Sequence, residues 1–256
     1  MVRFFLLILT GGALPLGIMA QIQGIPQSAG IIYNREMALN LTLQTARGYG
    51  ASFERGKLIT YDRTDYLSIG FGELRHPKEM RQSADPSVSQ SFRPYIFGKQ
   101  NNLYAIRLAW GAKKYFSEKS RQRGVAVGMS YRIGPTLGLL KPYYLALRRV
   151  GESPTSSRIV HERYSEENAG IFLDNTRILG ASPFLRGFDE ISLLPGASGS
   201  LSLHLDWGAF DEFIKAVDIG IMTDVFLRPA PILVGEQGSR QTFINFFVNL
   251  QFGKRY

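Results

Sequence analysis

Ser200, Ser202, His204 and Asp206 fall on every second position of the run Ser-Leu-Ser-Leu-His-Leu-Asp. A hydroxyl, an imidazole and a carboxylate are the ingredients of nucleophilic hydrolysis, in which the imidazole takes the hydroxyl proton and the carboxylate orients it. In an extended chain alternate side chains share a face, so a strand here sets these four opposite Leu201, Leu203 and Leu205. That spacing also separates them by about 6.6 Å along the strand, which leaves direct hydrogen bonding within the row unassured. Polar filling of an interior is the expected role, and catalysis by Ser202, His204 and Asp206 the weaker alternative.

Other chemistries find less material. The chain has no cysteine, which excludes a thiol nucleophile, thiolate metal sites and disulfides. His76, His161 and His204 are scattered, and Gly70-Phe71-Gly72 is a pair of strand glycines rather than a nucleotide loop. Without a zinc-protease, EF-hand, phosphate-loop or dinucleotide motif, neither a metal nor a cofactor is expected. The formal charge of +9 and pI near 9.8 suit an anionic membrane surface; nucleic acid is not an expected partner of an exported chain.

Export is read from the first twenty residues. Arg3 precedes an apolar run from Phe4 to Leu9, Gly11, Gly12 and Pro15 interrupt it, and Ala20 supplies a small residue before Gln21. That order predicts a cleavable signal over 1–20 and a single domain over 21–256.

The elements that position these residues are strands. Period-two alternation recurs over 36–45, 48–57, 65–74, 102–116, 124–133, 200–207, 213–227 and 242–256, the fifth continuing through Gly134-Pro135 toward Val150. In each segment leucines, valines, isoleucines and aromatics oppose glycine and small polar residues. A soluble sandwich would bury the apolar face, whereas a membrane barrel turns it to lipid and encloses the polar one. Export, the glycine-rich polar faces and aromatics near the segment ends (Tyr49, Tyr66, Tyr104, Tyr115, Phe116, Tyr143, Tyr144, Trp207, Phe213, Phe243, Tyr256) favour a closed antiparallel transmembrane β-barrel of eight strands. With both termini periplasmic, the connections after odd strands are extracellular and should be long. Those at 75–100, 151–196 and 229–240 are; the first, around Ala46-Arg47-Gly48, is not.

On these segments, and on the Ala20-Gln21 junction, the Ile31-Ile32-Tyr33-Asn34-Arg35-Glu36 lead-in and the aromatic last strand, the chain resembles small outer-membrane β-barrel proteins of Gram-negative bacteria, Bacteroidota in particular. The resemblance implies an integral outer-membrane location. It also implies that Phe246, Val248, Leu250, Phe252 and Tyr256 form an assembly signal read by the barrel-insertion machinery. Some barrels of this kind hydrolyse lipid A or peptides, but the order and spacing of Ser202, His204 and Asp206 do not match theirs.

An eight-stranded barrel is just wide enough for its side chains to fill. Glu36, Glu54, Asp206, Asp218 and Asp224 are therefore expected to pair with Arg107, Lys113 and Arg132 around His204, because an isolated buried charge is costly. Basic residues of the 113–123 hairpin, with Lys254 and Arg255, are expected at the periplasmic rim facing phospholipid headgroups or periplasmic partners. Arg75, Lys78, Arg81, Arg93 and Lys99 are expected to meet lipopolysaccharide phosphates. The 151–196 connection carries Phe172, Leu173, Phe184, Leu185 and Phe188, apolar enough to close the barrel mouth or to dock a protein partner. The function expected is that of a non-enzymatic structural or accessory subunit of an envelope complex, in secretion or barrel assembly. A small pore and a membrane-embedded hydrolase are the alternatives.

Overall fold

The computed structural model describes residues 33–83, 93–116, 124–150, 157–207, 212–235 and 238–256. The signal-peptide expectation lies outside them, as does most of the basic hairpin at 117–123. In chain order the elements are β1 (Arg35–Gln44), β2 (Tyr49–Thr60), β3 (Arg63–Leu74), the short β4 (Arg81–Gln82) and β5 (Tyr95–Ile96), β6 (Asn101–Tyr115), β7 (Ala126–Pro142), β8 (Tyr144–Val150), β9 (Ser157–Arg163), helix α1 (Ala169–Phe172), β10 (Ile178–Ala181), β11 (Ser192–Asp206), β12 (Phe213–Pro231) and β13 (Ser239–Arg255).

Eight of these strands form one antiparallel barrel in the order β1-β13-β12-β11-β7-β6-β3-β2, closed by pairing of β1 with both β2 and β13. Closure removes the open sheet edges of the barrel, so the backbone of the wall pairs strand to strand all the way round, as hydrocarbon requires. Followed around the wall by cross-strand partners, the register leaves β1 at Asn34 and returns to it at Gln44. That stagger of ten residues tilts the strands about 40° from the barrel axis. Gly134 and Pro135 do not end β7; they interrupt its pairing with β6 between Arg107↔Thr136 and Trp110↔Ile133, where proline has no amide to give. At Gly134 the backbones come so close that a Cβ would lie 2.1 Å from the Leu108 carbonyl oxygen.

The alternation fixes which face is which. Leu39, Leu41 and Leu43 of β1, Leu67, Ile69 and Phe71 of β3, Leu201 and Leu203 of β11 and Ile219 and Ile221 of β12 are all exposed on the outside. Tyr61, Phe116, Trp207, Phe213 and Tyr256 ring the end where β1 begins and β13 finishes, each exposed. An apolar wall bounded by an aromatic girdle is the exterior of a transmembrane β-barrel. Five residues expected in the girdle are not in it: Tyr143 and Tyr144 belong to the cap that follows β7, and Tyr66, Tyr115 and Phe243 belong to the inward-facing parity and lie inside. The neighbours of these last three, Leu67, Phe116 and Ile244, face out instead, and one residue of register decides which does.

The far end is built differently from the expected long loops. The connection between β7 and β11 folds into a cap of its own, a sheet in the order β10-β8-β9 with α1 beside it. Val150 therefore ends a cap strand rather than a barrel strand. The cap core gathers Leu145, Leu147, Phe172 and Ile178 with Tyr95 from β5, so the connection after β3 packs into it as well. Near the other end the turn between β2 and β3 is only Tyr61-Asp62, because both strands run further than the alternation at 58–64 indicates.

Candidate functional site

The lumen collects the chemistry-bearing side chains, and it is stratified. Nearest the start of β1 and the finish of β13 lies a charge network. Lys113, on β6, reaches Glu36 of β1 and Glu54 of β2, each at 3.1 Å. Gln251 of β13 donates to Glu54 at 2.8 Å and accepts from Lys113 at 3.3 Å. Arg132 stands 3.6 Å from Glu54 and donates to Ser200 Oγ at 2.9 Å. Arg255 pairs with Asp206 at 2.6 Å and lies 3.6 Å from Glu36. All are inward-parity positions of their strands, so the alternation that turns leucine outward necessarily brings these groups together.

His204 sits among them, and its partners correct the catalytic expectation. Its Nδ1 is 2.5 Å from Asp218, the residue facing it across the β11–β12 ladder, and its Nε2 is 3.2 Å from the Tyr115 hydroxyl. Asn249 donates to the second Asp218 oxygen at 2.9 Å. Asp206 instead binds Arg255 and accepts from Tyr115 at 3.1 Å. Ser202 gives its hydroxyl to the Ser130 carbonyl at 3.4 Å. Ser202, His204 and Asp206 thus share a face without forming a relay. Both imidazole nitrogens are committed to other groups, and the serine has no base.

Higher in the lumen Arg107 makes a two-pronged bond to Asp224, at 2.7 and 2.9 Å. Between this pair and the lower network a residual cavity of about 30 Å³ is lined by Gln44, Ser52, Arg132 and Ser198, room for about one water. Above Arg107 the interior turns apolar: Leu74, Leu103, Leu140, Leu194, Phe226 and Phe243 meet in a layer across the bore, with Ile232 from the last far-end loop. The nine charged lumen residues expected from sequence (Glu36, Glu54, Arg107, Lys113, Arg132, His204, Asp206, Asp218, Asp224) all lie inside. The apolar layer was hidden in the same alternation, at inward positions where the polar rule gives way.

Tyr115, Arg255, Asn249 and Gln251 belong to the network without having been expected there. Inward parity was their signal: Asn249 and Gln251 alternate with Val248 and Leu250. Arg255 and Lys113 consequently face the lumen, not phospholipid at the rim. Among the expected lipopolysaccharide contacts, Lys99 is buried against Glu79 at 2.7 Å and Arg75 pairs with Glu73 at 2.7 Å. Arg81 and Arg93 are exposed.

On the cap, Phe172 is fully buried in the cap's own core and takes no part in any outer surface. Its position on α1, facing β8, decides this. Leu173, Phe184, Leu185 and Phe188 are exposed. Phe184 and Phe188 meet edge to face at 5.4 Å over the Lys141 ammonium, which lies 4.8 and 5.0 Å from their centroids and ties them to the end of β7. Arg149 bonds Glu162 across the β8–β9 pair at 2.7 Å twice, which holds that carboxyl below the ordinary glutamate range. Burial pushes the His161 imidazole below its usual value, and its Nδ1 is 2.8 Å from Ser182. Among the described residues no group of three or more histidine, aspartate and glutamate side chains is arranged to hold a metal ion.

Phe246, Val248, Leu250 and Phe252 project from the outer face of β13, the strand that closes the barrel against β1, and Tyr256 follows its end. No protein-family model matches the sequence, and no curated protein does. The chain is similar to two solved structures, one named as a β-barrel domain and the other as a surface protein. One is the N-terminal β-barrel domain of Pseudomonas aeruginosa OprF, at 11% identity over 88% of this chain and 98% of that one, with a TM-score of 0.34. The other is Neisserial surface protein A, NspA, at 8% identity over 87% and 95%, also with a TM-score of 0.34. The barrel itself rests on the strand pairing described above.

Proposed function

We propose that this protein is an integral outer-membrane β-barrel of a Gram-negative, Bacteroidota-type cell that serves as a non-enzymatic structural or accessory subunit of an envelope complex, in secretion or barrel assembly. The observation that carries this reading is the lumen: a paired charge network, an Arg107–Asp224 clamp and an apolar layer succeed one another along the bore. With the interior committed to the wall's own stability, the surfaces left for work are the outside and the cap. The exposed Phe184, Leu185 and Phe188, held in place by Lys141, are the partner-binding surface in this reading. Arg81 and Arg93 meet lipopolysaccharide, and the outer face of β13 is read by the barrel-insertion machinery. The Bacteroidota likeness rests on the Ala20-Gln21 junction, the Ile31 to Glu36 lead-in and the aromatic last strand.

Isolation of the native protein in mild detergent, followed by mass spectrometry, tests the proposal. A second envelope protein should accompany it in fixed proportion, and Phe184→Ser with Leu185→Ser should release it while the barrel stays folded. A solitary monomer from native membranes would sink the subunit reading. The pore alternative predicts steady conductance steps in planar bilayers, against which the apolar layer speaks. The hydrolase alternative requires a base for Ser202, and His204 is bound elsewhere.

A further inference from the structure

The outer wall is not uniformly apolar. On β1, β2 and β3, at the end where β1 begins, Arg35, Arg55, Lys57 and Arg63 all point outward and are exposed. The register clusters them: Arg35 faces Lys57, Lys57 faces Asp65, and Arg55 faces Leu67. Asp65 is the one acidic member, and Arg63 occupies it at 2.7 Å. No carboxylate among the described residues pairs with Arg35, Arg55 or Lys57. Beside them the wall carries an open depression of about 510 Å³, lined by Arg35, Arg55, Lys57 and Arg63 with Trp110 and Tyr131.

Two physical facts narrow what fits. Arg35 and Arg63 begin their strands and sit at the rim, whereas Arg55 lies further up the wall, in line with Leu67 and Trp110. A cation set into a lipid-facing wall is unfavourable by a depth-dependent amount unless an anion reaches it. Where lipid adjoins that wall, the part of it at this height is the headgroup with its first acyl carbons. Arginines grip phosphate oxygens through charge-assisted hydrogen bonds, and an indole at the interface packs against glycerol and acyl chain.

We infer that Arg35, Arg55, Lys57 and Arg63, with Trp110 and Tyr131, form a binding site for one anionic glycerophospholipid on the outside of the barrel, in the leaflet at that end. This rests on the proposed membrane location. The phosphate lies among the three basic side chains that lack a carboxylate, and the acyl chain lies against the exposed Trp110 and Tyr131. By the even-strand rule this end is the inner one, so the ligand is a phospholipid and not lipopolysaccharide.

The test uses the full chain in nanodiscs of phosphatidylcholine containing a minor fraction of phosphatidylglycerol, released gently for native mass spectrometry. The expected result is selective retention of one phosphatidylglycerol. Arg55→Gln with Lys57→Gln should lower that retention about tenfold. Lys215→Gln with Lys254→Gln, the same charge change on β12 and β13, should leave it unaltered. Equal loss in both double variants would mean diffuse attraction and overturn the site, as would retention of phosphatidylcholine with equal preference. Protection of the barrel from protease in the same discs reports insertion. A chain that inserts without lipid preference overturns the site alone, and a chain that never inserts overturns the membrane reading with it.

Discussion

Lys113 shows how much a single side chain governs in this lumen. Its ammonium, 1% exposed, is shared by two buried carboxylates that would otherwise repel each other. Lys113→Met should therefore destabilise the barrel by about 3–5 kcal/mol, read from urea unfolding on lipid vesicles, because Glu36 and Glu54 lose the charge that offsets their desolvation. Adding Glu36→Gln and Glu54→Gln should recover most of the loss. Ser202→Ala sits at the other extreme. The hydroxyl makes one long bond to a carbonyl, so the variant should change stability by about 1 kcal/mol or less and leave any hydrolytic rate as it was. A large loss of such a rate with the barrel intact would restore the catalytic reading of Ser202. The identity of the lumen charges was legible in sequence because parity alone assigns them inward. Their partners were not: that His204 meets Asp218 rather than Asp206 depends on the β11–β12 register, which adjacent residues do not reveal.

At the level of elements, β7 is tightly constrained where it passes β6. Its Gly134 passes so near β6 that Gly134→Val has no room beside the Leu108 carbonyl, and folding yield should fall sharply. The band shift between unboiled and boiled samples measures that yield. The cap hairpin carries a pH signature of its own. Arg149 lowers the Glu162 carboxyl pKa in the folded hairpin, so the contribution is fully present above the ordinary glutamate value and is lost as pH falls through the lowered one. Amide exchange in β8 and β9, corrected for the intrinsic rate, should accelerate below about pH 4 and lose this step in Glu162→Gln. Barrel amides should not follow it. Unchanged exchange down to strong acid would show that the pair adds nothing to the hairpin. The cap was illegible as an element because its strands are short and share no lipid boundary, so no sustained alternation marks them.

Taken as a whole molecule, the barrel joins an apolar exterior to an interior closed in successive layers. Purified protein in planar bilayers should pass no steady current, and conductance steps at neutral pH would refute the closed bore. Sequence alone determined that eight segments span, which apolar rows turn outward and nine of the enclosed polar groups, Arg255 not among them. Lipid on one side and a narrow lumen on the other impose a period of two that no long-range information is needed to read. Only the tertiary structure decided who meets whom: the pairing of His204 with Asp218, the apolar layer of Phe226 and Phe243, the burial of Phe172 and the convergence of Arg35, Arg55 and Lys57 on one patch of wall. Each depends on the pairing of segments far apart in sequence, the barrel contacts on the register between neighbouring strands and Phe172 on the packing of the cap, which no segment carries by itself.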